Sequence, residues 1–182
     1  MMSGQITGLD VARYIVANID RNAGESVTPL KLQKLLYYIQ AWALVFLDRP
    51  LFHEDFEAWA HGPALDSVYQ EYKKYGWNAI PPGESAELEP EVEEHIENIL
   101  SVYGDCSAKH LEMMSHSEAP WREARGGLPP VARSTAIISK DTMKEFYTLL
   151  YESVPDGEEQ KTSNIGSGTV KSGTDSTLVG AD

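Results

Sequence analysis

Residues 28–48 read TPLKLQKLLYYIQAWALVFLD, and the reading of this stretch decides the fold. Thr28 followed by Pro29 is the strongest helix start in the chain. A proline at the first helical position forgoes no hydrogen bond, and the threonine oxygen can accept from a free amide of the first turn. Leu32, Leu35, Leu36, Ile39, Ala43 and Phe46 then recur at helical spacing and form a wide apolar stripe, while Tyr37, Gln40 and Trp42 carry apolar character beyond one face. The spacing predicts a central helix from Pro29 to about Asp48, closed by the turn residues Asp48, Arg49 and Pro50. Lys31 and Lys34 fall outside the stripe and are expected in solvent.

The flanking sequence repeats this logic on a smaller scale. On the N-terminal side Thr7 can cap a helix carrying Leu9, Ala12, Ile15 and Ile19, with Gly24 as a left-handed stop. On the other side residues 51–60 are short and aromatic, with Phe52, Phe56 and Trp59 expected to pin them to the core. Gly62-Pro63 reads as the start of a third helix, with Ala64, Val68, Tyr69 and Tyr72 inward and Gly76 at its end. Pro90 opens a fourth, buried through Val92, Ile96, Ile99, Leu100 and Tyr103 and closed by Gly104. Ser107 can cap a fifth with Leu111 and Met114, Pro120 starts a sixth piece through Arg125, and Ser139 caps a last helix bearing Met143, Phe146, Tyr147 and Leu150. No internal repeat is present. The fold class expected is mainly α: one helical domain of about six to seven helices over residues 1–155, with room for a small β element near residues 51–60. Beyond it the composition turns to Gly, Ser, Thr and Asp, so residues 156–182 are expected to be a flexible low-complexity tail.

Composition narrows the function. The chain of 182 residues carries 15 lysines and arginines against 28 aspartates and glutamates, a formal net charge of −13. Such a surface opposes phosphate backbones and anionic membranes, which need cations to replace their counterions, and it suits a basic protein partner. Cys106 is the single cysteine, so no internal disulfide and no CxxC pair can form. Residues 1–10 do not resemble a secretion signal, and the most apolar stretch, 35–47, is too short to span a bilayer. A soluble protein of the cytoplasm is expected.

Catalytic motifs are scarce. The five histidines, His53, His61, His95, His110 and His116, form no HExxH, and Cys106 with His110 supplies only two ligands where zinc wants three or four. No GxSxG and no phosphate-cradling glycine loop occurs in the sequence. No cofactor or metal is expected, and the chain does not read as an enzyme. What stands out is aromatic: Trp42, Trp59, Trp77 and Trp121 with nine tyrosines, residue types that anchor interfaces. Core packing is the simpler reading for Trp42 and Trp59, whereas Trp77, next to a helix-ending glycine, suits a surface equally well. The run Glu84, Glu87, Glu89, Glu91, Glu93, Glu94 and Glu97 contains no basic residue. It reads either as a solvated helix face or as a docking surface for a basic partner.

Three blocks together suggest a family. They are Leu30-Lys31-Leu32-Gln33-Lys34-Leu35-Leu36-Tyr37-Tyr38, then Glu57-Ala58-Trp59-Ala60-His61-Gly62-Pro63 with Val68-Tyr69, then Ser115-His116-Ser117-Glu118-Ala119-Pro120-Trp121 with Ala124-Arg125. In this order they resemble the Panacea domain of SocA-like antitoxins over nearly all of residues 7–152, with Ala64 standing where a valine is usual. The resemblance implies a helical domain encoded beside a growth-inhibiting toxin, which it binds directly. One type within the family is an adaptor that hands its toxin to a cytoplasmic protease. Direct neutralisation of a cognate, basic toxin is the function expected here, with protease delivery or an uncharacterised hydrolase using His61 or His116 as the alternatives. The candidate partner-binding residues are Trp59, His61, Tyr69, Trp77, Glu91, Glu94, His116 and Trp121, with His116 also suited to capping or hydrogen-bonding its turn.

Overall fold

The computed structural model describes residues 5–21 and 26–154, and its organising element is the helix that Thr28 and Pro29 begin. This helix runs Pro29–Phe46, with the Thr28 side chain accepting from the Lys31 N–H. We number the helices in chain order: α1 Gly8–Asn18, α2 Pro29–Phe46, α3 Asp66–Tyr72, α4 Pro90–Tyr103, α5 Ala108–Ser117, α6 Ala119–Arg125 and α7 Lys140–Glu152. A hairpin of β1 (Glu57–Trp59) and β2 (Gly62–Ala64) lies between α2 and α3. The described residues are therefore mainly α with the small β element expected near residues 51–60. None of their helices is long and apolar enough to cross a membrane. Gly24 and residues 156–182 lie outside the described residues.

Helix α2 is wrapped on all sides. α1, α3, α4, α5, α7 and β2 pack against it, and every residue from position 31 to 44 is buried. Two expectations fail on this account. Lys31 and Lys34 do not point into solvent: both are buried, and each ends on a backbone carbonyl, Lys31 Nζ donating to Gly104 O and Lys34 Nζ to Pro63 O at 2.8 Å. Phe46, placed in the stripe by its spacing, is 51% exposed in the last turn, where it stacks on Trp42 and meets Tyr151 of α7 edge to face. Asp48 then takes a left-handed φ of 54° and, with Pro50 following, turns the chain away.

The polar residues of α2 also organise the loops around it. Gln40 donates to Phe52 O at 2.7 Å and accepts from Leu51 N at 2.8 Å. Gln33 does the same one face-repeat earlier, donating to Leu65 O at 2.9 Å and accepting from Leu65 N at 2.8 Å. Buried amides of the loops thus receive the partners that no secondary structure offers them.

Gly62-Pro63 does not start a helix, contrary to the sequence reading. It forms β2, paired antiparallel with β1 in the register Glu57↔Ala64, Ala58↔Pro63 and Trp59↔Gly62. Proline fits there because Ala58, opposite it, turns its own groups outward, its N–H to Ala136 O at 2.8 Å and its carbonyl to Arg125 at 2.9 Å. The helix begins three residues later, after Leu65, whose N–H is held by Gln33.

Side-chain caps begin three of the remaining helices. Thr7 and Asp10 form a capping box on α1, Ser107 caps α5 and Ser139 caps α7. α4 buries Val92, Ile96, Ile99 and Tyr103, and α7 buries Met143 and Tyr147. Trp42 is core, its indole N–H donating to the Tyr103 hydroxyl at 3.0 Å.

Candidate functional site

Between the hairpin, the N-terminal turn of α2 and α3 lies a groove of about 320 Å³, walled by Trp59, Tyr69 and Trp77 with His61 on its rim. Trp59, half-buried in β1, meets Tyr69 edge to face at 5.0 Å between ring centroids. Its indole N–H donates to the Glu57 carboxylate at 2.6 Å, which fixes the ring. Tyr69 is 41% exposed and Trp77 is 74% exposed. Trp77 follows Gly76, whose left-handed φ of 56° ends the short 3-10 turn after α3. His61, in the hairpin turn, stands edge-on to Trp77 at 6.1 Å.

The groove floor is held by polar groups reaching up from α2 and α5. Gly62 has a φ of +94°, and a Cβ there would lie 2.8 Å from Lys34 Cε and 2.9 Å from both Lys34 Nζ and Ser115 Oγ. Only glycine allows that backbone and that approach. Burial pushes the Lys34 amine down to about 7, against the pull of the Glu112 carboxylate nearby. Glu112 accepts from His61 at 2.9 Å and from Lys109 at 2.8 Å. Burial opposes its ionisation, but these two partners outweigh it and hold the carboxyl below its usual range.

Behind the hairpin, α6 supplies the brace. Trp121 is buried and donates its indole N–H to Trp59 O at 2.9 Å. Its ring stacks on His116 at 4.1 Å, and the Arg125 guanidinium lies 4.8 Å from its centre. Arg125 in turn binds the carbonyls of Ala58, Pro129 and Ala132 at 2.9, 2.6 and 2.8 Å, tying the 129–132 loop to β1. His116 stacks here and does not hydrogen-bond its turn through Nε2, which is buried without a partner among the described residues. Burial lowers its affinity for a proton.

A second buried cluster joins α2, α6 and α7. Glu118 accepts from the hydroxyls of Tyr147 at 2.8 Å, Tyr37 at 3.2 Å and Tyr38 at 3.2 Å. Burial raises its carboxyl to about 7, against the three hydroxyl hydrogen bonds that favour the charged form. The same burial drives all three tyrosines well above the ordinary phenol range.

Of the eight residues singled out in the sequence, four therefore converge: Trp59, His61, Tyr69 and Trp77 line one groove. His116 and Trp121 stand behind it as support. Glu91 and Glu94 lie on α4, away from the groove lining, and Glu91 pairs with Arg49 at 2.7 Å. Gln33, Lys34, Glu112 and Arg125 were missed, although a polar side chain on a helix apolar all round is itself a sign of a buried partner.

The three sequence blocks thus meet in space, on α2, the hairpin and the α5–α6 corner. A family model described as "Antitoxin SocA-like, Panacea domain" matches residues 32–122, half of the chain. The chain belongs to this family. The match is narrower than the 7–152 span of the sequence resemblance and leaves α1 and α7 outside it. Antitoxin SocA of Caulobacter vibrioides (strain NA1000 / CB15N) is 34% identical, covering 52% of this chain and 58% of that protein. The chain therefore spans little more than half the length of this curated relative. No solved structure matches it.

Proposed function

We propose that this chain is an antitoxin that neutralises a cognate toxin by direct binding, and that the toxin docks on the groove between the hairpin and α3. The observation that carries this reading is the exposed pair Tyr69 and Trp77 over an apolar groove whose floor is fixed by buried hydrogen bonds. Large aromatic side chains supply most of the binding energy of protein interfaces, and a preformed wall loses little entropy when it is covered. Membership of the SocA-like family and likeness to Antitoxin SocA support the antitoxin part of the reading.

The other proposed contacts play different parts. Trp59 and His61 complete the wall and rim, while His116 and Trp121 act from behind by holding the hairpin. Glu91 and Glu94 belong to an outer acidic surface that meets basic patches of the toxin and speeds encounter. The reading needs no nucleotide, metal or turnover, and it places both proteins in the cytoplasm.

Co-expression with the growth-inhibiting protein encoded beside this chain tests it. Growth is restored, and the His61→Gln and His116→Gln variants still restore it as far as they fold and bind the toxin. If those variants fold and bind the toxin but fail to protect cells, the chain acts by catalysis and the binding reading is wrong.

A further inference from the structure

The groove has the opposite electrostatic character from the chain that carries it. The sequence has a formal net charge of −13, yet none of the groove's lining residues is acidic and two are lysines, Lys34 and Lys73. Two of the nearest carboxylates are already engaged. Glu112 holds His61 and Lys109, and Glu57 holds the Trp59 indole. Neither lysine is ion-paired among the described residues: Lys34 Nζ donates to Pro63 O, and Lys73 Nζ donates to Gln70 while lying 5.9 Å from the Tyr69 ring centre.

We propose that the groove takes a toxin segment that is apolar and acidic together, its aliphatic or aromatic side chains against Trp59, Tyr69 and Trp77 and its carboxylate paired with the exposed Lys73 above the buried Lys34 amine. This rests on the reading of the groove as the docking site. Its physical basis is charge complementarity. A lysine amine held in a dry, apolar site gains strongly from an arriving anion, because little water competes for it. A basic segment would set its charge beside Lys73 with no carboxylate in the lining to receive it, and is rejected. The toxin surface meeting α4 and the toxin segment entering the groove therefore carry opposite charge, which fixes the orientation of the complex.

Random twelve-residue peptides displayed on phage and selected against the immobilised full chain test this. The selected peptides combine Leu, Phe or Trp with a neighbouring Asp or Glu, and replacing that acid by its amide in a synthetic copy weakens binding at least fivefold. Lys73→Glu, exposed in the 3-10 turn after α3, weakens it at least tenfold with an unchanged melting temperature, and Lys34→Met reduces the preference for acid over amide. Selection of basic or uncharged peptides, no selection at all, or acidic peptides that bind both lysine variants normally overturns the inference. The docking reading fails separately, by a toxin complex that survives Tyr69→Ala with Trp77→Ala. If those two changes abolish the complex while Lys73→Glu and Lys34→Met leave it intact, docking stands and the acidic segment does not.

Discussion

The aromatic groove and helix α4 both present to water what the core does not take, rings in one case and carboxylates in the other, but they are anchored differently. Behind the groove, Gln33, Lys34, Trp121 and Arg125 each bind a backbone carbonyl of the hairpin or of Leu65, so the hairpin side of the groove is held before anything touches it. Among the described residues, the acidic side of α4 is tied by the exposed Arg49–Glu91 pair and by the Tyr14 hydroxyl on Glu97 at 3.1 Å. Arg49 and Glu91 are both about half exposed or more, and such pairs contribute little and are screened by salt. A braced apolar wall holds a partner, whereas exposed charges steer one. The two surfaces should therefore fail in different ways when altered.

The sharpest break is at Gly62. Gly62→Ala imposes a left-handed φ on a residue with a side chain and drives its Cβ into Lys34 and Ser115, so it should lower unfolding free energy by about 3 kcal/mol. Urea unfolding measures this. The same experiment on Glu94→Gln, which is exposed on α4, should show a change within about 0.5 kcal/mol. Equal effects would mean that the hairpin is no more firmly held than the acidic helix.

Titration tests the buried groups behind the groove next. Burial holds the Glu118 carboxyl at about 7 in the folded chain, above the ordinary 4.5. Its protonated form is favoured on folding, so the stability it contributes is complete below about 4.5 and is lost as pH rises through about 7, by about 3 kcal/mol. Lys34 is lowered from 10.5 to about 7, so between those values the unfolded chain binds more protons and stability rises again with pH. Unfolding free energy should pass through a minimum near neutrality. Glu118→Gln should flatten the acid limb and Lys34→Met the alkaline limb. A monotonic profile unchanged in both variants would contradict these assignments.

The smallest effect belongs to α4. Glu93→Gln with Glu94→Gln should slow association with the toxin by roughly threefold at low salt, with little change in dissociation and no difference at high salt. An unchanged rate at low ionic strength would reduce α4 to a solvated face.

What the sequence shows and hides follows from the kind of signal each feature leaves. Thr28-Pro29, Pro90, Ser107 and Ser139 start helices because capping is a local matter, and all four stand where their side chains predict. Lys31 and Lys34 were misread because periodicity separates faces only when one face meets water, and α2 has no such face between positions 31 and 44. Gly62-Pro63 was misread because glycine before proline suits both a helix start and a hairpin. Gln33, which decides between them, lies 32 residues from the Leu65 it binds when counted to that backbone. Trp59, His61, Tyr69 and Trp77 were legible as interface residue types, but their convergence depends on the hairpin and α3 and leaves no trace in spacing.

The most direct test of the account is the affinity of the purified chain for its toxin, measured by calorimetry for wild type and for Tyr69→Ala with Trp77→Ala. Both side chains are exposed, so the variant should keep its melting temperature within a few degrees, as expected of surface changes. The account predicts a complex without nucleotide or metal and a loss of at least 100-fold in affinity in the variant, about 3 kcal/mol, with loss of growth rescue. A variant that binds and protects as wild type does would contradict it and move the contact surface elsewhere.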